Sequence, residues 1–179
     1  MPDFSGIKDG IFIGNAYSVI GNYATKESDL LDVLNIKVVI SALTEEEYED
    51  YMIAREDFPD ITWHRLVIDD DEDEKISLHF FTVYEIISRA LSENKNVIVH
   101  CAAGMSRSPS LVIAYLMIET RWCYEEAYNY VKNKRPIVEP NIGFVKQLKA
   151  LEYKLKSYKR LNKWPQNAKF DTVDKLNLN

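Results

Sequence analysis

Residues 96–117 read NVIVHCAAGMSRSPSLVIAYLM. Val97, Ile98 and Val99 form a β-branched run long enough for a buried strand. The residues from His100 to Arg107 are small or polar. From Leu111 to Ile118 the chain turns apolar over helix length, and Pro109 fits the first turn of that helix, where a missing N–H costs nothing. The stretch therefore predicts a buried strand, a tight loop and a buried helix. The loop ends where a helix N-terminus offers unpaired N–H groups to an anion.

Cys101 and Arg107 stand in that loop with five residues between them. Such a loop can curl until its backbone N–H groups face inward, a nest for phosphate oxygens. Gly104 at the crown permits a positive φ. Arg107 closes the ring with a planar fork suited to two phosphate oxygens. Cys101 lies at the bottom, where N–H dipoles and a nearby positive charge favour a thiolate. Ser108 can donate a hydrogen bond to that sulfur. The bland alternative is a buried Cys in a strand–turn–helix and an Arg paired with a carboxylate. His100, Gly104 and Ser108 in one context favour the chemical reading.

The run His100 to Ser108 resembles the signature of cysteine-dependent protein phosphatases, and SPSLVIAYLM resembles the dual-specificity branch. IKDGIFIGN (7–15) resembles the opening of that catalytic domain and RPIVEPNIGFVKQL (135–148) its closing segment, so the likeness runs from about Ile7 to about Leu155. The resemblance implies an α/β fold with a central, mostly parallel twisted sheet flanked by helices. It implies Cys101 as nucleophile, with phosphate held by Arg107 and the backbone of Ala102, Ala103, Gly104, Met105 and Ser106. Ser108 would stabilise the departing thiolate. It also implies an acidic residue that protonates the leaving oxygen. Counting back from Phe80 in KISLHFFTVYEII selects Asp70 within the acidic run 69–74, with Asp69 and Asp71 as neighbouring alternatives. No cofactor or metal is expected, and His64 and His79 have no partner at ligand spacing. The expected substrates are proteins carrying phosphotyrosine and phosphoserine or phosphothreonine, a MAP kinase among them. Two other readings stay open: a phosphoinositide or RNA 5′-end phosphatase, and a scaffold that only binds phosphate.

The 179 residues suit one domain, expected over 1–160 without an N-terminal regulatory domain and followed by a polar tail over 161–179. Residues 1–131 hold 10 Lys/Arg against 24 Asp/Glu, a net of −14; residues 132–179 hold 12 against 4, a net of +8. An acidic body argues against binding a nucleic acid backbone. No apolar run approaches the ~20 residues of a membrane span. With two cysteines and no basic-then-apolar leader, a reducing compartment is expected, cytoplasmic or nuclear. The oligomeric state stays open at this level.

Elsewhere, Ile11 to Ile13 predict a strand ended by Gly14-Asn15. Leu30, Leu31, Val33, Leu34 and Ile36 predict a short helix before a strand at Val38–Ile40. Thr44 and Glu47 form a capping box that should start a helix near Glu45. Trp63–Ile68 reads as a strand reached through a loop containing Pro59. Ser77–Glu93 reads as an amphipathic helix capped by Ser77. Strand, acidic loop, helix, strand, nucleophile loop and helix then make a βαβα order with a parallel pair, which places Asp70 and Cys101 at one edge. Ala127, Tyr130 and Val131 mark a helix ending near Lys134. Asn141 caps a last helix whose apolar stripe is Ile142, Val145, Leu148, Leu151, Leu155, Tyr158 and Leu161. His100 is read as ordering the loop through hydrogen bonds. Cys123 is read as a packing residue, with a disulfide to Cys101 as the alternative.

Overall fold

The computed structural model describes residues 3–20, 30–50 and 60–160. In chain order they form β1 (Phe4–Lys8), β2 (Ile11–Gly14), α1 (Tyr17–Ile20), α2 (Leu30–Val33), β3 (Ile36–Leu43), α3 (Glu45–Asp50) and β4 (Thr62–Val67). A 3₁₀ turn (Ile76–His79), α4 (Phe80–Ser92), β5 (Asn96–His100), α5 (Arg107–Thr120), α6 (Tyr124–Lys134) and α7 (Ile142–Arg160) follow. The strands make one sheet in the order β1-β2-β5-β3-β4, parallel except for β1, which pairs antiparallel with β2. β1 is not legible in the sequence, because its burial is too irregular to show a period.

Alternation along the strands divides the core. Val97 and Val99 of β5 lie with Ile11, Ile13, Val38, Ile40 and Ala42 on one face, under α4, α5, α6 and α7. Ile98 lies on the other face with Val39, Ile36, Val19, Leu31 and Ile61. α5 is buried along its length from Arg107 to Ile118, as expected of a helix apolar on every side. It is the central helix of the larger layer.

Register places the functional edge. His100 pairs with Gly14 of β2 on one side and Ser41 of β3 on the other. The chain therefore leaves β5 between the carboxyl ends of two parallel strands, the position where ligands bind in such sheets. The chain after β4 leaves from the same edge. β4 and β5 are parallel but not neighbours, since β3 lies between them.

Several expectations are corrected. Ile36 begins β3 rather than extending the preceding helix, because Asn35 takes a left-handed φ of 49° that stops α2. Ser77 does not cap α4. It sits in the 3₁₀ turn, its N–H donating to Gln147 Oε1 at 3.0 Å, and the helix begins at Phe80. In α7, Leu148 and Leu151 are buried as expected, but Ile142 is 54% exposed and Phe144 is fully buried. Gly143 sets that rotation: a Cβ there would lie 1.8 Å from the Glu72 carbonyl oxygen, so the helix start packs closely on the acidic loop. A disulfide between Cys101 and Cys123 is excluded by geometry. The 14 residues of α5 lie between them, about 20 Å of helix, against a Cα separation of at most about 7 Å for a bridge. Both thiols are free, and Cys123 is the N-cap of α6, its N–H donating to Glu126 Oε2 at 2.8 Å. Pro59, Leu161, the side chain of Tyr158 and the tail 161–179 lie outside the described residues.

The rotation of α7 is testable by urea denaturation. Phe144→Ala is expected to cost about 3–5 kcal/mol, and Ile142→Ala to stay within about 0.5 kcal/mol. Equal costs at the two positions would restore the stripe read from spacing.

Candidate active site

The turn from β5 into α5 wraps around one sulfur. Cys101 Sγ is buried and accepts the Gly104 N–H at 3.2 Å and the Ser108 hydroxyl at 3.3 Å. Gly104 has φ of 68°, and a Cβ there would fall 2.6 Å from both the Gly14 carbonyl oxygen and Arg135 Nη2. Only glycine fits this crown. Carbonyls along the loop point outward into donors. Ala102 O accepts from Ala16 N–H (3.0 Å), Gly104 O from Arg135 Nε (2.9 Å), Met105 O from Glu139 N–H (2.8 Å) and Ser106 O from Ser110 N–H (3.0 Å). With these carbonyls outward, the Gly104 N–H turns toward the sulfur.

Arg107 opens α5 and is 4% exposed. Its Nη1 and Nη2 donate to the Glu47 carboxylate at 2.5 and 2.9 Å, and Nη1 also donates to Ile68 O at 3.2 Å. Its Nε makes no hydrogen bond and lies 3.8 Å from Asp70 Oδ2. Burial alone would lower the Arg107 pKa; its bonds to Glu47 and the charges of Cys101, Glu47 and Asp70 overcome that and raise it. Burial likewise favours a neutral Glu47, but the bonds from Arg107 and Thr44 hold its carboxyl below the ordinary value. Glu47 is also the far end of the capping box, reciprocally bonded to Thr44 at 2.8 and 3.0 Å. Sequence inspection finds the capping box but not this second task. Nothing in a chain links positions 47 and 107 until β3 and β5 pair.

Of the three candidate acids, Asp70 is the one bonded to the loop. Its Oδ1 accepts from Ser106 Oγ at 2.7 Å and from Asn141 Nδ2 at 2.9 Å, while Oδ2 faces Arg107 Nε at 3.8 Å. The Asp71 carboxylate is turned to its own loop, accepting the Asp73 N–H at 2.8 Å. Asp69 is exposed. Asn141 does more than cap α7. While Oδ1 accepts the Phe144 N–H at 2.9 Å, its own N–H donates to Ser106 Oγ at 3.1 Å, so one residue ties the last helix, the loop and Asp70 together. His100 is fully buried, with Nε2 2.7 Å from Ser41 Oγ. Burial pushes its pKa down to about 4, so it is neutral at physiological pH. Ala103 and Met105 are exposed at the rim, and Ala102 is half-buried.

A family model described as "Dual specificity phosphatase, catalytic domain" matches residues 19–154. Protein phosphatase Slingshot homolog 1 of Mus musculus is 37% identical over an alignment of 174 residues that covers 90% of this chain and 17% of that protein. Mouse dual specificity protein phosphatase 14 is 37% identical over 142 residues, 79% of this chain and 65% of the relative. The chain thus spans about a sixth of the first and just under two thirds of the second. Among solved structures, a mouse putative dual specificity phosphatase complexed with zinc tungstate superposes with TM-score 0.75 at 28% identity, covering 89% of this chain and 92% of that one.

The neutral His100 gives a pH dependence with a definite sign. Its folded pKa lies below the ordinary 6.5, so its contribution to stability is full above that value and is lost as pH falls toward about 4. Urea midpoints between pH 7 and 4 should fall for the wild type, with at most about 1.4 kcal/mol per pH unit arising from this residue. His100→Gln should flatten that slope. An unchanged slope would assign the acid sensitivity elsewhere.

Proposed function

The chain belongs to the dual specificity phosphatase catalytic-domain family, and on that premise we propose that it is a cysteine-dependent protein phosphatase acting on phosphotyrosine and on phosphoserine or phosphothreonine. The observation that carries this reading is the gathering at one loop of the Cys101 sulfur, the Arg107 Nε that makes no hydrogen bond and, paired with it at 3.8 Å, Asp70 Oδ2. Ester phosphate oxygens enter the nest and replace the missing partner of Arg107 Nε. The Cys101 thiolate attacks phosphorus in line, the P–O bond to the substrate breaks, and Asp70 gives its proton to the departing oxygen. Charge on the equatorial oxygens is met by the loop N–H groups and Arg107, which are already in place before reaction. In the second half, Asp70 as carboxylate takes a proton from water. The resulting hydroxide attacks phosphorus, and the S–P bond breaks. The thiolate is received by the Gly104 N–H and the Ser108 hydroxyl.

Protein rather than polyanionic substrates are favoured by charge. Ala102, Ala103, Met105 and Ser106 are uncharged, and Asp69, Asp71, Glu72 and Asp73 are exposed beside Asp70. A negative rim repels a multiply phosphorylated head group. A phosphorylated MAP kinase is the first protein substrate to try on family resemblance, and a cytoplasmic or nuclear setting suits a thiolate nucleophile.

Initial rates on an aryl phosphate from pH 5 to 8, with chelator present, test the mechanism. Cys101→Ser should abolish turnover while keeping phosphopeptide binding. Asp70→Asn should lose the alkaline limb of the profile and about 10²–10⁴ in rate. A wild-type profile for Asp70→Asn would move the acid to Asp69 or Asp71. For scope, phosphotyrosine and phosphothreonine peptides of one sequence should both be hydrolysed; strict rejection of the phosphothreonine peptide would restrict the enzyme to tyrosine.

A further inference from the structure

Behind the phosphate loop, on the side away from the pocket, lies a second arginine that the mechanism does not use. Arg135 follows α6 and is 2% exposed, among the largest fully buried side chains of the described residues. Its Nε donates to Gly104 O at 2.9 Å, its Nη2 reaches Ala103 O at 3.5 Å, and its Nη1 lies 3.3 Å from Ser5 Oγ. The guanidinium presses on the crown closely enough that a Cβ on Gly104 would meet it at 2.6 Å. Its own backbone is fixed as well: the Arg135 N–H donates to Val131 O at 2.8 Å, and Arg135 O accepts from Val138 N–H at 3.1 Å.

Two consecutive carbonyls, of Ala103 and Gly104, are therefore turned outward by one rigid fork. A neutral side chain could supply donors to these oxygens. A buried guanidinium also brings a charge that is costly to desolvate. Burial lowers the Arg135 pKa, and the charges of Cys101 and Asp3 act against that lowering. A negative charge on Cys101 thus favours the charged form of both guanidinium groups, Arg107 and Arg135. The sequence shows Arg135 only as the start of a stiff Arg-Pro connection, because its separation of 32 residues from Ala103 hides the contact.

We propose that Arg135 is a positioning residue of the phosphate pocket: from behind the loop it orients Ala103 and Gly104 so that their neighbouring N–H groups face the bound oxyanion, and it adds positive potential to that anion. This rests on the phosphatase reading for its catalytic consequence, but its binding consequence can be measured alone. The probe is sodium tungstate, a tetrahedral oxyanion, titrated calorimetrically into the full chain. Parallel measurements give kcat and KM on an aryl phosphate, well below the melting temperature of each variant. Arg135→Met should weaken tungstate binding at least tenfold and lower kcat/KM at least tenfold. Arg135→Lys keeps the charge but has one nitrogen for two carbonyls, and should fall between wild type and Arg135→Met. If Arg135→Met does not fold, Arg135→Lys alone decides. Wild-type tungstate affinity and kcat/KM in a folded Arg135 variant, with only its melting temperature lowered, would overturn the proposal and leave a purely structural arginine. A wild type that binds tungstate through Arg135 yet hydrolyses no phosphoester would uphold it while overturning the phosphatase reading.

Discussion

A loop that turns its N–H groups inward must turn its carbonyls outward, and a buried carbonyl without a donor is costly. Much of the architecture around Cys101 answers this requirement. Three of the donors come from distant parts of the chain, Ala16 just after β2, Arg135 at the end of α6 and Glu139 in the connection to α7, and the fourth is Ser110 in the first turn of α5. The edge order of the sheet brings Gly14 beside His100, and so places Ala16 against Ala102. α6 packs beside α5, which puts the Arg135 fork under Gly104. The glycine at the crown follows from the same crowding, since Gly14 O and Arg135 already occupy the space a side chain would take.

The second constraint is the charge of Arg107. A guanidinium 4% exposed needs an anion of its own when no phosphate is bound. Glu47 supplies it through Nη1 and Nη2 and leaves Nε open toward Asp70. This division holds two of the three guanidinium nitrogens in one orientation. The capping box makes the arrangement stiff. The carboxylate that holds Arg107 is also tied to Thr44, and the Tyr48 hydroxyl of the same helix, α3, donates to the Ser41 carbonyl and accepts the Leu66 N–H. Ser106 and Asn141 do the same for Asp70, holding one oxygen while the other faces Arg107 Nε.

The apolar body serves these two constraints. α5 is buried from Arg107 to Ile118, so its N-terminus cannot shift without disturbing the core. β5 enters the loop with Val97 and Val99 fully buried on one face of the sheet and Ile98 fully buried on the other. Strand and helix together clamp both ends of a segment whose middle turns through a left-handed φ at Gly104.

Local patterns decided a good deal. The β-branched run of β5, the apolar length of α5, the Thr44–Glu47 box, the Asn141 cap and the spacing of Cys101, Gly104, Arg107 and Ser108 are short-range features, and each was legible because its partners lie within a few residues of one another. What the tertiary structure alone decided involves partners tens of residues apart: Glu47 with Arg107, Arg135 with the loop carbonyls, Asp70 with Ser106 and Asn141, and Phe144 rather than Ile142 facing the core. Backbone pairing across the sheet and the close seating of Gly143 on Glu72 set those matches. A carboxylate or a guanidinium looks the same in the sequence whether it faces water or a partner. Its role depends on which strand and helix ends are brought to one edge, and that is a property of the folded chain.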